Sequence, residues 1–195
     1  MERVAHALPD WLEPVLAFVN TVDVETGVDV LAGGPVSLTD WLVARGLLDP
    51  DATPPTSAYR ADHRLALDLR SGLRSLALVN NGCPTDERAT MPMRRALERL
   101  PLVVTLAPGG LRPHQLPPVR AALGAIAAGY ARAVATGDWG RIRRCPADDC
   151  AWVFWDSSAK GARRWCTMRV CGNRAKVRAF AQRRSAAQTD RAPGG

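Results

Sequence analysis

The chain has 195 residues, of which 47% are hydrophobic and 23% are charged. This composition excludes a wholly disordered chain and a disulfide miniprotein, and the length suits one medium domain or a domain with a small module. Residues 1–140 contain 13 Arg and 15 acidic residues, a net charge of −2, whereas residues 141–195 contain 11 Arg, 2 Lys and 4 Asp, a net charge of +9. A basic end of this kind favours a polyanionic partner, and a basic tail that only keeps the protein soluble is the alternative.

The sequence predicts neither a secretory signal nor a membrane span. The first eleven residues include Glu2 and Asp10 and have no long apolar core, and no apolar run reaches the ~18–20 residues that a membrane helix needs. We therefore expect a cytoplasmic protein with no membrane partner. Because the cytoplasm is reducing, the five cysteines are expected to be free of disulfides.

The part before residue 139 is predicted to be mainly helical. The clearest helix has leucines at 65, 69, 73 and 76 and stops at Asn81-Gly82. Another long helix opens at Pro117-Pro118 and closes at Gly137. Its apolar stripe consists of Val119, Leu123, Ile126, Tyr130 and Val134. Shorter helices are predicted for residues 11–19, capped by Asp10, for residues 40–45, capped by Ser37 or Thr39, and for residues 93–100.

The remaining segments of this part are predicted to be loops and a small β element. Residues 22–36, which are rich in glycine, are expected to be irregular, and residues 50–55 are expected to form a loop. Residues 102–106 predict a strand that Gly109-Gly110 turns back on a second strand. The fold class is therefore α+β: a mainly helical domain over residues 1–138, a metal-binding module over 139–184 and a disordered tail over 185–195.

Four of the five cysteines form two C-x4-C pairs, Cys145/Cys150 and Cys166/Cys171. Two loops that each offer two thiolates can converge on one tetrahedral Zn²⁺, with Zn–S distances near ~2.3 Å. Four thiolates fill the coordination shell of zinc, so the site would be structural. Buried free thiols and an iron–sulfur cluster are the alternatives.

The residues around the cysteines predict a small zinc finger. Residues 141–144 and 152–155 would form a hairpin around the metal, and a helix is predicted over 174–184, which together look like a treble clef. About 45 residues with few aliphatic side chains cannot bury a sufficient core, whereas zinc binding contributes about 10–16 kcal/mol in zinc-finger peptides.

This module resembles a bacterial zinc-finger family of the CGNR type. The resemblance covers residues 141–182 and rests on Cys171-Gly172-Asn173-Arg174 with Lys176, on Arg164-Trp165-Cys166 and on Phe154-Trp155-Asp156. The N-terminal part resembles the ABATE domain that usually accompanies this finger, on the segments Phe18-Val19-Asn20-Thr21-Val22-Asp23 and Asp40-Trp41-Leu42. Members are described as stress-induced transcriptional regulators, so the resemblance implies DNA binding.

The candidate nucleic-acid-binding residues crowd the second cysteine pair and the helix after it. They are Arg163, Arg164, Arg169, Arg174, Lys176 and Arg178. Arginine offers a planar fork that suits phosphate and the guanine edge. On a helical wheel, Arg174 and Arg178 lie on one side and Lys176 and Arg183 on the other, and Val177, Phe180 and Ala181 are expected to form a buried stripe between them. A solvated basic face around a small zinc core is the alternative.

Three aromatic residues and two polar residues of the finger are given structural roles. Trp152, Trp155 and Trp165 are expected to form its small core rather than to stack on bases. Asn173 is expected to cap the helix, and Asp156 to form a turn.

Outside the finger the sequence shows little chemistry, and we expect no enzymatic activity. Asn20, Thr21 and Trp41 are candidates for lining a ligand pocket, with capping and turn formation as the alternative. The predicted function is zinc-dependent, DNA-binding transcriptional regulation, with a small-molecule effector and a homodimer built on the N-terminal domain. An RNA-binding or ribosome-associated module and an enzyme with an unrecognised N-terminal site are the alternatives.

Overall fold

The structure is a computed structural model that describes residues 6–52, 60–106 and 110–189. Within these ranges the main elements are six α-helices and six short strands. The helices are α1 (Glu13–Val19), α2 (Pro35–Ala44), α3 (Arg60–Val79), α4 (Glu87–Glu98), α5 (Pro118–Thr136) and α6 (Asn173–Thr189). The strands are β1 (Val22–Asp23), β2 (Val28–Asp29), β3 (Leu102–Val104), β4 (Leu111–Pro113), β5 (Ile142–Arg144) and β6 (Val153–Trp155). Consecutive strands pair into three separate antiparallel hairpins. The predicted α+β class is confirmed.

Helix α3 lies at the centre of the hydrophobic core. Leu65, Leu69 and Leu73 are buried as their spacing predicts, and α3 packs against α1, α2, α4, α5 and β5. Gly72 allows α4 to come close, because a Cβ atom there would lie only 2.3 Å from the Cβ of Met93. The helical spacing of the leucines and the absence of a side chain at Gly72 thus allow α3 and α4 to pack closely.

Helix α5 follows its predicted bounds, but its stripe ends differently. Val119, Leu123 and Ile126 are fully buried, whereas Val134 is 51% exposed. The last turn is buried through Ala133 instead. Gly137 ends the helix in the left-handed conformation, with φ at 80°, as a C-terminal glycine often does.

Several predicted boundaries were wrong. Helix α2 begins at Pro35, and proline is favoured at this first position of a helix. Thr39 therefore lies inside the helix, where its hydroxyl donates to the Pro35 carbonyl. Helix α4 begins at Glu87, where the Asp86 carboxylate caps the Arg88 amide. The segment predicted to be irregular contains the hairpin of β1 and β2.

Other elements start or end differently from the prediction. Residues 10–12 form a 3-10 turn before α1, and Asp10 makes no capping bond. Helix α6 continues through residues 185–189, which were assigned to the tail. The rest of the tail, the end of the 50–55 loop and Gly109 lie outside the described residues. None of the helices in the described ranges is long and apolar enough to cross a membrane.

The hairpin of β5 and β6 belongs to the same hydrophobic core as the helices. Ile142 and Val153 are fully buried in one cluster with Leu69 and Leu73, and Trp155 packs against it. The core of the helical part thus includes two residues of the finger. The finger therefore has a fixed place on the helical body.

Candidate metal centre and basic surface

The four paired cysteines converge at one place. Cys145 follows β5, Cys150 lies in the turn before β6, and Cys171 lies in the π-helical turn Met168–Gly172 that leads into α6. All four sulfur atoms, including that of Cys166, lie within 4.8 Å of one another. The Sγ atom of Cys166 lies 3.5 Å from those of Cys150 and Cys171. All five cysteines of the chain are free of disulfides, as expected.

This sulfur cluster fits a tetrahedral metal ion. Four ligands at ~2.3 Å from a zinc ion lie about 3.8 Å apart, which is within the observed spread of S–S distances. Burial and the neighbouring sulfurs raise the pKa of Cys166 and raise that of Cys171 to about 11. Burial opposes ionisation of Cys145, but backbone N–H groups of Cys166 and Ala147 help to hold its pKa below the ordinary value. Four crowded thiols ionise together only beside a cation, so the donor set suits zinc.

The hydrophobic surroundings of the cluster are small. Besides the sulfurs, Ala147, Phe154 and Trp165 pack there. The other two tryptophans have other roles: Trp155 packs on the main core and donates from Nε1 to the His6 carbonyl at 2.7 Å, and Trp152 is 40% exposed. The expectation of a three-tryptophan core in the finger was therefore wrong for these two, because Trp155 packs on the main core and Trp152 is largely exposed.

Asp156 organises the loop that leads to the second cysteine pair. Its carboxylate is fully buried and accepts from the amide and hydroxyl of Ser158 and from the amide of Arg163, the last at 2.7 Å. Burial opposes ionisation, but these donors hold the pKa of Asp156 below its ordinary value. The predicted turn role of Asp156 is confirmed.

The six candidate DNA-contacting residues fall into three groups. The guanidinium groups of Arg163 and Arg164 lie over the rings of Phe154 and Trp165, at 4.9 and 5.4 Å from the ring centroids. Arg169 and Lys176 are exposed, and within the described ranges no carboxylate pairs with either.

The third group, Arg174 and Arg178, is held by carboxylates. Arg178 donates to both oxygens of Asp149 at 3.0 and 3.2 Å. Arg174 donates to Glu25, in the β1–β2 turn, at 3.0 Å, and lies 3.5 Å from Asp149. Both arginines stay partly exposed, so a phosphate group has access to them, but only in competition with these carboxylates.

The predicted buried stripe on α6 was wrong. Val177 and Phe180 are 69% and 56% exposed, and Ala181 is exposed as well. The finger has too small a core to cover them, and the inner side of α6 is formed by Ala175 and Ala179 instead, beside Trp165 and Ala147 of the finger. Asn173 does not cap the helix by accepting from an amide; its Nδ2 donates back to the Arg169 carbonyl at 3.0 Å.

Polar side chains of the helical body hold the backbone of the finger. Asn80 donates to the carbonyls of Trp139 and Ile142, and Asn81 donates to those of Arg144 and Arg164. The sequence marked Asn81 only as a helix stop, and it did not mark Asn80. Their distant partners leave no signal in the local sequence.

Buried Arg74 makes a third connection. It donates to the Val19 carbonyl at 2.6 Å and to the Ala151 carbonyl at 2.9 Å. Burial, with Arg144 and Arg70 nearby, lowers the pKa of Arg74 to about 10. The sequence signal that could have indicated a buried role for Arg74 is its position. Arg70 and Arg74 lie one helical turn apart, beside the leucines of the buried stripe.

The three residues expected to line a ligand pocket have partners within the protein. The Asn20 side chain donates from Nδ2 to the Val153 carbonyl at 2.7 Å and accepts from the Val153 amide at 3.0 Å. The Thr21 hydroxyl donates to Phe18 and accepts from Arg70. Trp41 is buried against Phe18. These contacts account for the positions of all three side chains without a ligand. A ligand pocket at this place stays a prediction.

Two family models match the chain. The ABATE model, described as "Putative stress-induced transcription regulator", matches residues 12–137, which is more than half of the chain. The CGNR zinc finger model matches residues 141–184 and includes all four clustered cysteines. No curated protein matches the chain. The two models meet at the turn between α5 and β5.

Proposed function

Since the chain belongs to the ABATE family and has a CGNR zinc finger over residues 141–184, we propose that it is a zinc-dependent, DNA-binding transcriptional regulator. The observation that carries this proposal is the convergence of four sulfur atoms within 4.8 Å in the basic C-terminal module. Neither family is an enzyme family.

Cys145, Cys150, Cys166 and Cys171 would hold one Zn²⁺. When bound, the metal supplies a rigid link between the loop after β5 and the turn before α6. Four thiolates leave no coordination position for water or substrate, so the residues of this site support the fold and not a reaction. The chain's own contribution is to fix the loops around the sulfurs, through Asp156 and through Asn80 and Asn81, which follow α3.

The basic residues of the finger would bind the phosphate backbone of DNA. Arg163, Arg164, Arg169, Arg174, Lys176 and Arg178 lie on the loop, the π-helical turn and the first turns of α6. If three to five of them reach one duplex, the slope of log K against log salt should be roughly −3 to −5 per finger.

A homodimer and a small-molecule effector complete the proposal. One small module buries only about 600–1,000 Å² on DNA and binds weakly, which favours two fingers brought together by the N-terminal domains. The finger, with its coordination shell filled, offers no place for an input, so an effector would bind the N-terminal domain. A regulator of this kind acts in the cytoplasm.

The test compares duplex DNA with RNA. Zinc-loaded protein is incubated with randomised pools of duplex DNA and of RNA, and retention is measured over a range of salt concentrations. We expect preferential retention of duplex DNA with the slope given above. Preferential retention of RNA would favour an RNA-binding module instead, and retention of neither would refute the proposal.

A further inference from the structure

Helix α6 carries an exposed apolar strip between two basic edges. Val177 and Phe180 point to solvent, with the guanidinium of Arg184 5.8 Å from the centroid of the Phe180 ring. At 100° per residue, Lys176 and Arg183 lie along one edge of this strip and Arg174 and Arg178 along the other. The opposite side, at Ala175 and Ala179, lies beside Trp165 and Ala147 of the finger. We call the strip and its two edges the outer face of α6.

We propose that the outer face of α6 enters the major groove of duplex DNA. This inference rests on the proposed function and adds to it the element, the groove and the residues that meet the bases. Val177 and Phe180 contact base edges, including thymine methyl groups, and the two basic edges contact the phosphates on either side.

The dimensions and charges of α6 suit this partner. An α-helix with its side chains is about 10–12 Å across, and the major groove of B-DNA is about 12 Å wide. Phosphates flank the groove on both sides, so cations on both edges favour a helix that lies in it. Helix α6 has cations on both edges and Arg184 between Val177 and Phe180, and its outer face includes no acidic side chain.

The helix is also free to be inserted. Within the described residues, α6 makes its main contacts with the π-helical turn before it, and Val177, Phe180 and residues 181–184 are exposed. On the opposite side, the small side chains of Ala175 and Ala179 lie beside Trp165 of the finger. The sulfur cluster beside Cys171 fixes the start of the helix, so its direction is set before DNA is met.

Two other occupants fit less well. A second copy of α6 would bring four basic edges together, and like charges at short distance repel. A membrane surface would gain little, because two apolar side chains bury less than one myristoyl chain, which by itself gives only marginal binding.

The test uses zinc-loaded full-length protein and a duplex selected by it from a randomised pool. The double variant Val177→Ala/Phe180→Ala should bind this duplex roughly tenfold more weakly with an unchanged salt slope, because it loses apolar contact only. Replacing thymine by uracil in the duplex should weaken wild-type binding more than binding of the variant. Lys176→Ala/Arg183→Ala should instead make the slope shallower by about 1.8.

Val134→Ala is the matched control, because Val134 is a similarly exposed valine on helix α5. It should bind like wild type, and zinc content and helical signal should be unchanged in every variant. If the α6 double variant binds the duplex as well as Val134→Ala does, the inference is refuted. It is also refuted if the double variant instead loses self-association in sedimentation or binding to phosphatidylglycerol vesicles. Absence of duplex binding by wild type itself would refute the proposed function.

Discussion

The clamp of Asn20 on β6 provides a sensitive test of whether the finger and the helical body fold as one unit. Its side-chain amide makes two hydrogen bonds to Val153, at 2.7 and 3.0 Å, across a separation of 133 residues. Asn20 thereby satisfies the backbone N–H and C=O of Val153, which would pair with a further strand in a larger sheet. Replacing Asn20 by Ala removes both bonds and leaves an amide and a carbonyl of a fully buried residue without partners.

The size of the effect follows from these two bonds. Each contributes about 1 kcal/mol net, and a buried backbone group left without a partner costs about 1–3 kcal/mol. Because water can reach part of this junction, we expect Asn20→Ala to lower the free energy of unfolding by about 2–4 kcal/mol. Zinc content at saturating metal should not change, because Asn20 is not a ligand.

The assay is urea unfolding at a fixed excess of zinc, since metal binding itself shifts the apparent stability. Far-UV circular dichroism follows the helices, and tryptophan fluorescence follows the finger and the core. In one cooperative unit the two transitions coincide. Asn173→Ala is the control, because Asn173 makes one exposed bond to Arg169; it should change stability by less than about 0.5 kcal/mol. If Asn20→Ala is as stable as this control, or if the two transitions separate, the shared-unit reasoning is wrong.

Three further predictions concern the metal, the DNA surface and pH. Freshly purified protein should contain one zinc per chain by metal analysis, and chelation should lower the melting temperature of the helical signal as well as unfold the finger, because they share a core. Glu25→Gln should raise affinity for duplex DNA about two- to fivefold at low salt by releasing Arg174, whereas Glu13→Gln, which removes the same charge beside distant Arg45, should not. Hydrogen bonding to Arg70 lowers the pKa of Asp29, so its contribution to stability is complete above pH 3.8 and is lost as pH falls through the lower folded-state pKa. The stability difference between wild type and Asp29→Asn, measured by urea unfolding, should therefore shrink on acidification.

The parts of the fold that the sequence predicts well are those with a local pattern. Leucines of α3 at helical spacing and the Gly137 stop of α5 are such patterns, and so are the two cysteine pairs. Helix starts were predicted less well. The glycines before Pro35 and Pro92 in α4 both suggested breaks, whereas the glycines precede a helix start and Pro92 lies inside the helix.

The candidate site could be predicted only in part for the same reason. Residue spacing predicts that the sulfurs meet, but it contains no information on what lies opposite Arg174 or Val153. The Glu25 and Asn20 partners are more than 130 residues away along the chain. The helical wheel of α6 correctly grouped Val177 and Phe180 on one face, but it placed this face in the core, whereas the face is exposed. An apolar stripe indicates which residues share a face, and only the amount of available core decides whether that face is buried.

The position of β5 and β6 links the metal to the helical body. Both strands carry the first cysteine pair at their ends, and both place a fully buried residue, Ile142 or Val153, in the main core. Any free energy that zinc supplies by fixing this hairpin therefore also stabilises the packing of α3 against it. In the other direction, the clamps from Asn80, Asn81 and Arg74 hold the hairpin backbone and bring two of the four ligands into position. The boundary between the two family models at residues 137–141 thus separates two sequence modules that fold on one core.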